Sequence, residues 1–230
     1  MKKVILVLIG VLYIWFLYRD FGGSGDEVLT SLIKYLSIVL CFSLSFLTRE
    51  KYLNKKDILL LRLGLFFTVL ADLALVVLHY FTLGVVFFCI VQIVYCHRYE
   101  NEKSIHLLKR FFIIFLFILL TYLNINLFFI EIDFLLPISL FYSICLITSM
   151  LKAIKAYRNK VYPKGNRILI FWGMLFFLLC DINVALYNME KVINLPKNLE
   201  LVANSTSYLL IWYFYLPSQV MISLSGYLKV

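Results

Sequence analysis

Eight apolar runs divide the chain, roughly 3–18, 27–47, 58–78, 80–98, 108–125, 132–151, 167–188 and 202–225. Most approach the ~20 residues a helix needs to cross a hydrocarbon core of about 30 Å. No water satisfies backbone amides inside a bilayer, so such runs fold as helices. None alternates in and out as a membrane β-strand does. The chain therefore reads as an all-α, polytopic transmembrane bundle of about eight spans, a single transmembrane domain over residues 1–230. Composition agrees: 63% of residues are hydrophobic and 15% charged, against about 45–50% and 25% in soluble domains.

Charge sets the expected orientation. Counted by loop, 17 Lys and Arg fall on the amino-terminal side of the spans and 3 (Arg19, Lys191, Lys197) on the other, with Lys34 and Arg62 inside spans. Lys and Arg in short loops stay in the cytoplasm, so both termini are expected there, in a multi-pass protein of the cell membrane. The net charge of +9 is a topology signal on this reading, and no nucleic acid partner is expected. The first run has the Lys2-Lys3 start of a signal peptide, but no A-x-A-like site precedes Gly22–Gly25, so it is expected to stay as an uncleaved span.

Ionisable residues inside spans narrow the function. Gly64 to Asp72 reads GLFFTVLAD, and Gly173 to Asp181 repeats it as GMLFFLLCD. Lys34 lies in the second run. On the assigned directions all three charges sit in the outer half, within roughly 4–6 Å of the bilayer centre at 1.5 Å per residue. Intramembrane charges of this kind face a bundle interior or a watery cavity, so Lys34, Asp72 and Asp181 are expected to meet. Thr30, Lys34, Ser37, Cys41 and Ser45 share one helix face, which belongs against protein. The matching Gly-to-Asp stretches, with an echo of Phe87–Gln92 in Phe214–Gln219, suggest a four-plus-four internal repeat. Pro217 is expected to kink the last span.

Several chemistries lack their motifs. The five cysteines form no CxxC or metal-ligand spacing and read as apolar packing residues. His79, His97 and His106 make no zinc-hydrolase motif. There is no G-x-S-x-G, and Gly22–Gly25 reads as a flexible turn, not a phosphate loop. No cofactor or metal is expected.

In order and spacing, Lys34, then Leu70-Ala71-Asp72, Phe88 with Gln92 and Tyr95, Cys180-Asp181, and Tyr215 with Gln219 resemble the pattern of the YhhN, or lysoplasmalogenase, family of multi-span membrane proteins. Ala71 stands where that pattern has Gly, Cys180 where it has Ser, and Tyr35 where Pro often follows the Lys. The resemblance covers nearly the whole chain. It implies hydrolysis of the vinyl ether bond of lysoplasmalogens to a fatty aldehyde and a glycerophospho-alcohol, with a lysophospholipid as substrate and the bilayer as surroundings.

Vinyl ether hydrolysis needs an acid to protonate the β-carbon and a carboxylate to activate water and face the oxocarbenium ion. Two carboxyls and an amine can divide these roles, because burial and neighbouring charge push such groups apart. Asp72 is assigned as acid and Asp181 as base, with the reverse left open. Lys34 either holds one carboxylate ionised or binds the substrate phosphate. Gln92, Tyr95, Asn183, Tyr208, Tyr215 and Gln219 are candidates for substrate binding. The glutamines can instead be inter-helix hydrogen bonders, and the carboxylates can be helix glue or the proton sites of a transporter.

Overall fold

The computed structural model describes residues 1–22, 27–47, 54–100, 104–189 and 197–226. The cleavage region at 23–25 and Lys191 lie outside what is described. Among the described residues eight α-helices follow one another: α1 (Lys2–Gly22), α2 (Glu27–Phe46), α3 (Lys55–Asp72), α4 (Phe81–Tyr99), α5 (Ser104–Phe128), α6 (Leu135–Arg158), α7 (Lys164–Met189) and α8 (Lys197–Leu224). Among the described residues, α1 to α7 provide seven segments long and apolar enough to cross a membrane, and there is no strand. The expected all-α polytopic bundle is thus present. The end where α2 meets α3 and α6 meets α7 gathers most of the Lys and Arg, and is called the basic end below.

Large apolar side chains cover the outside, among them Phe112, Phe117 and Leu151, as a lipid-facing surface requires. The polar stripe of α2 points the other way: Thr30, Lys34, Ser37, Cys41 and Ser45 are all buried. All five cysteines are free and buried.

Helix packing follows the four-plus-four repeat. The contacts α1–α2, α2–α3, α3–α4, α1–α8 and α2–α8 are matched by α5–α6, α6–α7, α7–α8, α4–α5 and α4–α6. Paired details agree. A Cβ on Gly64 would meet the Tyr95 ring at 2.3 Å, and one on Gly173 would meet Ile222 Cγ1 at 2.8 Å. Both glycines precede an Asp by eight residues, and both partners lie seven residues after the matched positions Phe88 and Tyr215. Glycine serves here because the facing helix comes too close for a side chain.

The repeat continues at the basic end. Asp57 of α3 receives two bonds from Arg98 of α4, Nε to Oδ1 and Nη2 to Oδ2, each 3.1 Å. In the second half the corresponding residues are Asn166 of α7 and Ser225, whose carbonyl accepts from Asn166 Nδ2 at 2.6 Å. Arg98 Nη1 also donates to Ser225 Oγ at 2.9 Å, which joins the halves. Tyr162 Oη sits 2.7 Å from both Asp57 Oδ1 and the Arg98 carbonyl. Burial raises this phenol well above its ordinary pKa, so it stays a donor.

Two irregularities shape the centre. Directly after Asp72 the backbone widens into a π turn, Leu73–Val77, a feature frequent at functional sites. Gly84 of α4 makes room for it, since a Cβ there would meet Leu75 Cγ at 2.3 Å. His79, at φ 58°, then turns the chain into α4. In α8, Pro217 lacks an N–H to bond the carbonyl four residues earlier. That carbonyl, Tyr213 O, instead accepts from Tyr13 Oη of α1 at 2.9 Å.

Candidate active site

The carboxylates of the two matched stretches come to one aromatic cluster. Asp72 ends α3 and is 2% exposed. Its Oδ2 accepts a hydrogen bond from Tyr215 Oη of α8 at 2.6 Å. Asp181 of α7 is partly buried, and its Oδ2 accepts from Tyr142 Oη of α6, also at 2.6 Å. Phe88 of α4 stands between the tyrosines, 6.0 Å from the Tyr142 ring and 6.3 Å from the Tyr215 ring, with Phe177 packed against Phe88 at 5.8 Å and Tyr215 at 5.7 Å. Through these rings the two carboxylates border the same cluster. Each is held through one oxygen by a phenol, an arrangement that leaves its other oxygen to exchange a proton with something placed between them.

Lys34 departs from the expected three-way meeting. Its Nζ bonds Asp20 near the end of α1, 2.9 Å from Oδ1 and 2.8 Å from Oδ2. The rings of Trp212, Tyr208 and Phe16 surround the ammonium at 5.2, 5.3 and 5.8 Å. Trp212 in turn packs edge-on against Tyr215 at 5.3 Å. Among the described ion pairs Lys34 is thus joined to Asp20, and to neither Asp72 nor Asp181. The physical reason is reach: a flexible amine two turns into α2 extends to the carboxylate of the neighbouring helix end, where both charges find a partner.

The other candidates separate by level. Tyr208 lines the Lys34 cluster and is 40% exposed. Asn183 turns away from the carboxylates, its Nδ2 donating to Leu179 O at 2.7 Å within its own helix. Gln92 and Gln219 are fully buried one turn toward the basic end from Phe88 and Tyr215, and Ser149 Oγ donates to Gln92 Oε1 at 2.6 Å. Tyr95 is deeper still, against Gly64 and stacked on Tyr99 at 6.0 Å. A separate cavity of about 400 Å³ opens at the basic end, lined by Tyr99, Glu100, Lys152 and Lys155, with Lys152 and Glu100 paired.

Sequence reasoning missed Tyr142 and Asp20. Tyr142 sits in an apolar run with no motif around it. The repeat offers the one usable signal, because the position matching Tyr215 is Phe88, which has no hydroxyl to offer Asp181. Asp20 fell just past the expected end of the first span, which in the structure continues to Gly22.

The model of the YhhN family matches residues 29–226. Neither a curated protein nor a solved structure matches the chain. The matched region contains both Asp–Tyr pairs and both glutamines, and α1 precedes it.

Proposed function

Because the chain belongs to the YhhN family, we propose that it is a membrane-embedded hydrolase of lysoplasmalogen-type lysophospholipids, in which Asp72 and Asp181 share acid and base catalysis. One observation carries this reading: two intramembrane carboxylates, each gripped on one oxygen by a tyrosine at 2.6 Å, border one aromatic cluster. Asp72 is the better enclosed and Asp181 the more open, which supports Asp72 as the acid and Asp181 as the base.

The reaction is R–CH=CH–O–R′ plus water giving R–CH₂–CHO plus R′–OH. Asp72 gives its proton to the β-carbon, and the lone pair of the ether oxygen stabilises the cation left on the α-carbon. Water bonds to that carbon while Asp181 takes its proton. The resulting hemiacetal breaks its C–OR′ bond: Asp181 passes its proton to the departing R′O, and the hydroxyl proton of the new aldehyde goes to Asp72, so both carboxyls return to their starting states. The faces of Phe88, Phe177 and Tyr215 offer electron density to the cation. Asp20 balances the Lys34 ammonium, so Lys34 acts by positioning the Trp212–Tyr215 wall. The same reading puts the basic end in the cytoplasm.

The test is aldehyde release from a lysoplasmalogen by purified protein in lipid nanodiscs. Asp72→Asn and Asp181→Asn are each expected to lower turnover about 10²–10⁴-fold, the usual contribution of a general acid or base, while remaining folded. Wild-type turnover by either variant would overturn the mechanism. Lysolipid uptake into proteoliposomes with no aldehyde formed would favour a transporter instead.

A further inference from the structure

Gln92 of α4 and Gln219 of α8 hold matching places in the repeat, each four residues after a ring of the Phe88–Tyr215 contact. They therefore face the same axis of the bundle, one turn toward the basic end. Both are 0% exposed. Ser149 satisfies Gln92 Oε1. Gln92 Nε2, together with Nε2 and Oε1 of Gln219, meets no protein hydrogen-bond partner among the described residues. Ser218 Oγ, beside Gln219, and Tyr95 Oη, one turn further along α4, are buried and unpartnered too.

Buried polar atoms are overwhelmingly paired, and an unpaired amide in a membrane interior is strongly unfavourable. Helix glue does not explain Gln219, because glue requires a partner. The unpaired atoms include donors and an acceptor and carry no net charge. An ion would need a counter-charge that these side chains do not supply. Water fits, since it donates and accepts and typically takes two to four such partners.

We propose that Gln92 and Gln219 bind the water consumed in hydrolysis and hold it one helical turn from both Asp–Tyr pairs. This rests on the hydrolase reading for the fate of the water, though not for its presence. One turn is about 5.4 Å, so the water needs only a short shift to bond the α-carbon of the oxocarbenium ion and pass its proton to the base.

Pulsed hydroxyl-radical footprinting of the full chain in nanodiscs tests the site without substrate, because radicals formed from bound water label adjacent side chains. Tyr95 and Tyr215, 0% and 4% exposed, are the reporters, and Tyr18, 79% exposed, is the control. The wild type is expected to label both reporters. The Gln92→Leu/Gln219→Leu pair should lower that labelling about tenfold through loss of the bound water, with Tyr18 unchanged. Gln219→Met, closer in shape, repeats the test should the pair fail to fold. Inert reporters in the wild type, or unchanged labelling in a folded variant, overturn the water site. Labelling without aldehyde release sinks the hydrolase reading alone, and aldehyde release without labelling sinks the water site alone.

Discussion

Tyr215 donates its hydroxyl to Asp72 Oδ2 at 2.6 Å across 143 residues of chain, and so ties the second half of the repeat to the first. The same relation in the other half would join Phe88 to Asp181. Phenylalanine has no hydroxyl, and Tyr142 of α6 donates there instead. The repeat has thus kept the carboxylates and the aromatic wall while moving one of the donors to another helix.

That substitution yields a rescue experiment. Tyr142→Phe removes a bond to the Asp181 carboxylate, and Tyr215→Phe removes one that becomes charge-assisted as Asp72 gives up its proton; at about 1.5–3 kcal/mol each, kcat should fall about 10–100-fold with KM little changed. Adding Phe88→Tyr to Tyr142→Phe puts a hydroxyl at the position matching Tyr215 and should restore part of the lost kcat. Adding it to Tyr215→Phe should not restore Asp72, whose donor comes from α8. Equal rescue in both backgrounds would show that the pairs are not related by the repeat.

Lys34 and Asp20 form a pair whose side chains are 5% and 4% exposed. Breaking such a pair strands a buried charge. Lys34→Met or Asp20→Asn alone should destabilise by about 3–5 kcal/mol, whereas Lys34→Met with Asp20→Leu should recover most of the loss. Thermal unfolding in nanodiscs reads the stability. Turnover per folded molecule should stay within about tenfold in the double variant, because removing both charges leaves general acid–base catalysis in place. A folded double variant with no turnover would return Lys34 to the catalytic group.

How far the sequence reaches follows from what each signal measures. Hydropathy records transfer from water to hydrocarbon, and among the described residues α1 to α7 have that signature. Asp72 and Asp181 stood out because a carboxylate in such a run is rare and their surroundings repeat. Their phenol partners are another matter: Tyr142 is an ordinary aromatic until folding brings α6 against α7. Depth along a helix was a poor guide for Lys34, because a long side chain reaches up to a turn from its backbone. Arg98 and Asp57 stand at the ends of their apolar runs, where water is at hand, yet the Arg98 side chain is 0% exposed. The π turn after Asp72 has no sequence mark beyond the nearby Gly84, since it depends on how α3 and α4 pack.

Gly64 and Gly173 test the repeat as packing. A methyl on Gly64 would lie 2.3 Å from Tyr95 Cε1, part of a rigid and fully buried ring. Gly64→Ala should therefore destabilise by about 1–3 kcal/mol, the usual range for overpacking. Gly173→Ala, facing Ile222 Cγ1 at 2.8 Å, should be milder. Tyr95→Leu should suppress Gly64→Ala and leave Gly173→Ala unaffected, as unfolding midpoints would reveal. Suppression of both would mean that the two contacts are not separate.

Tyr13 and Pro217 give the sharpest test of how α1 joins the bundle. Ile9 and Phe16 are the buried residues of α1, whereas its bond from Tyr13 to the Tyr213 carbonyl lies on the exposed side of the bundle, where a bilayer offers no water to replace it. That carbonyl needs an outside donor because proline supplies none. Tyr13→Phe should destabilise the wild type by about 1–2 kcal/mol, the cost of an unsatisfied backbone group. In a Pro217→Ala background the restored N–H of α8 bonds the carbonyl, and the same change should cost almost nothing. The coupling is read by a double-mutant cycle on unfolding. Loosening α1 also moves Asp20 away from Lys34, so the Tyr13→Phe loss should shrink when Lys34 and Asp20 have both been replaced by apolar residues. Equal losses in all three backgrounds would mean that α1 is held by something other than the carbonyl that proline frees.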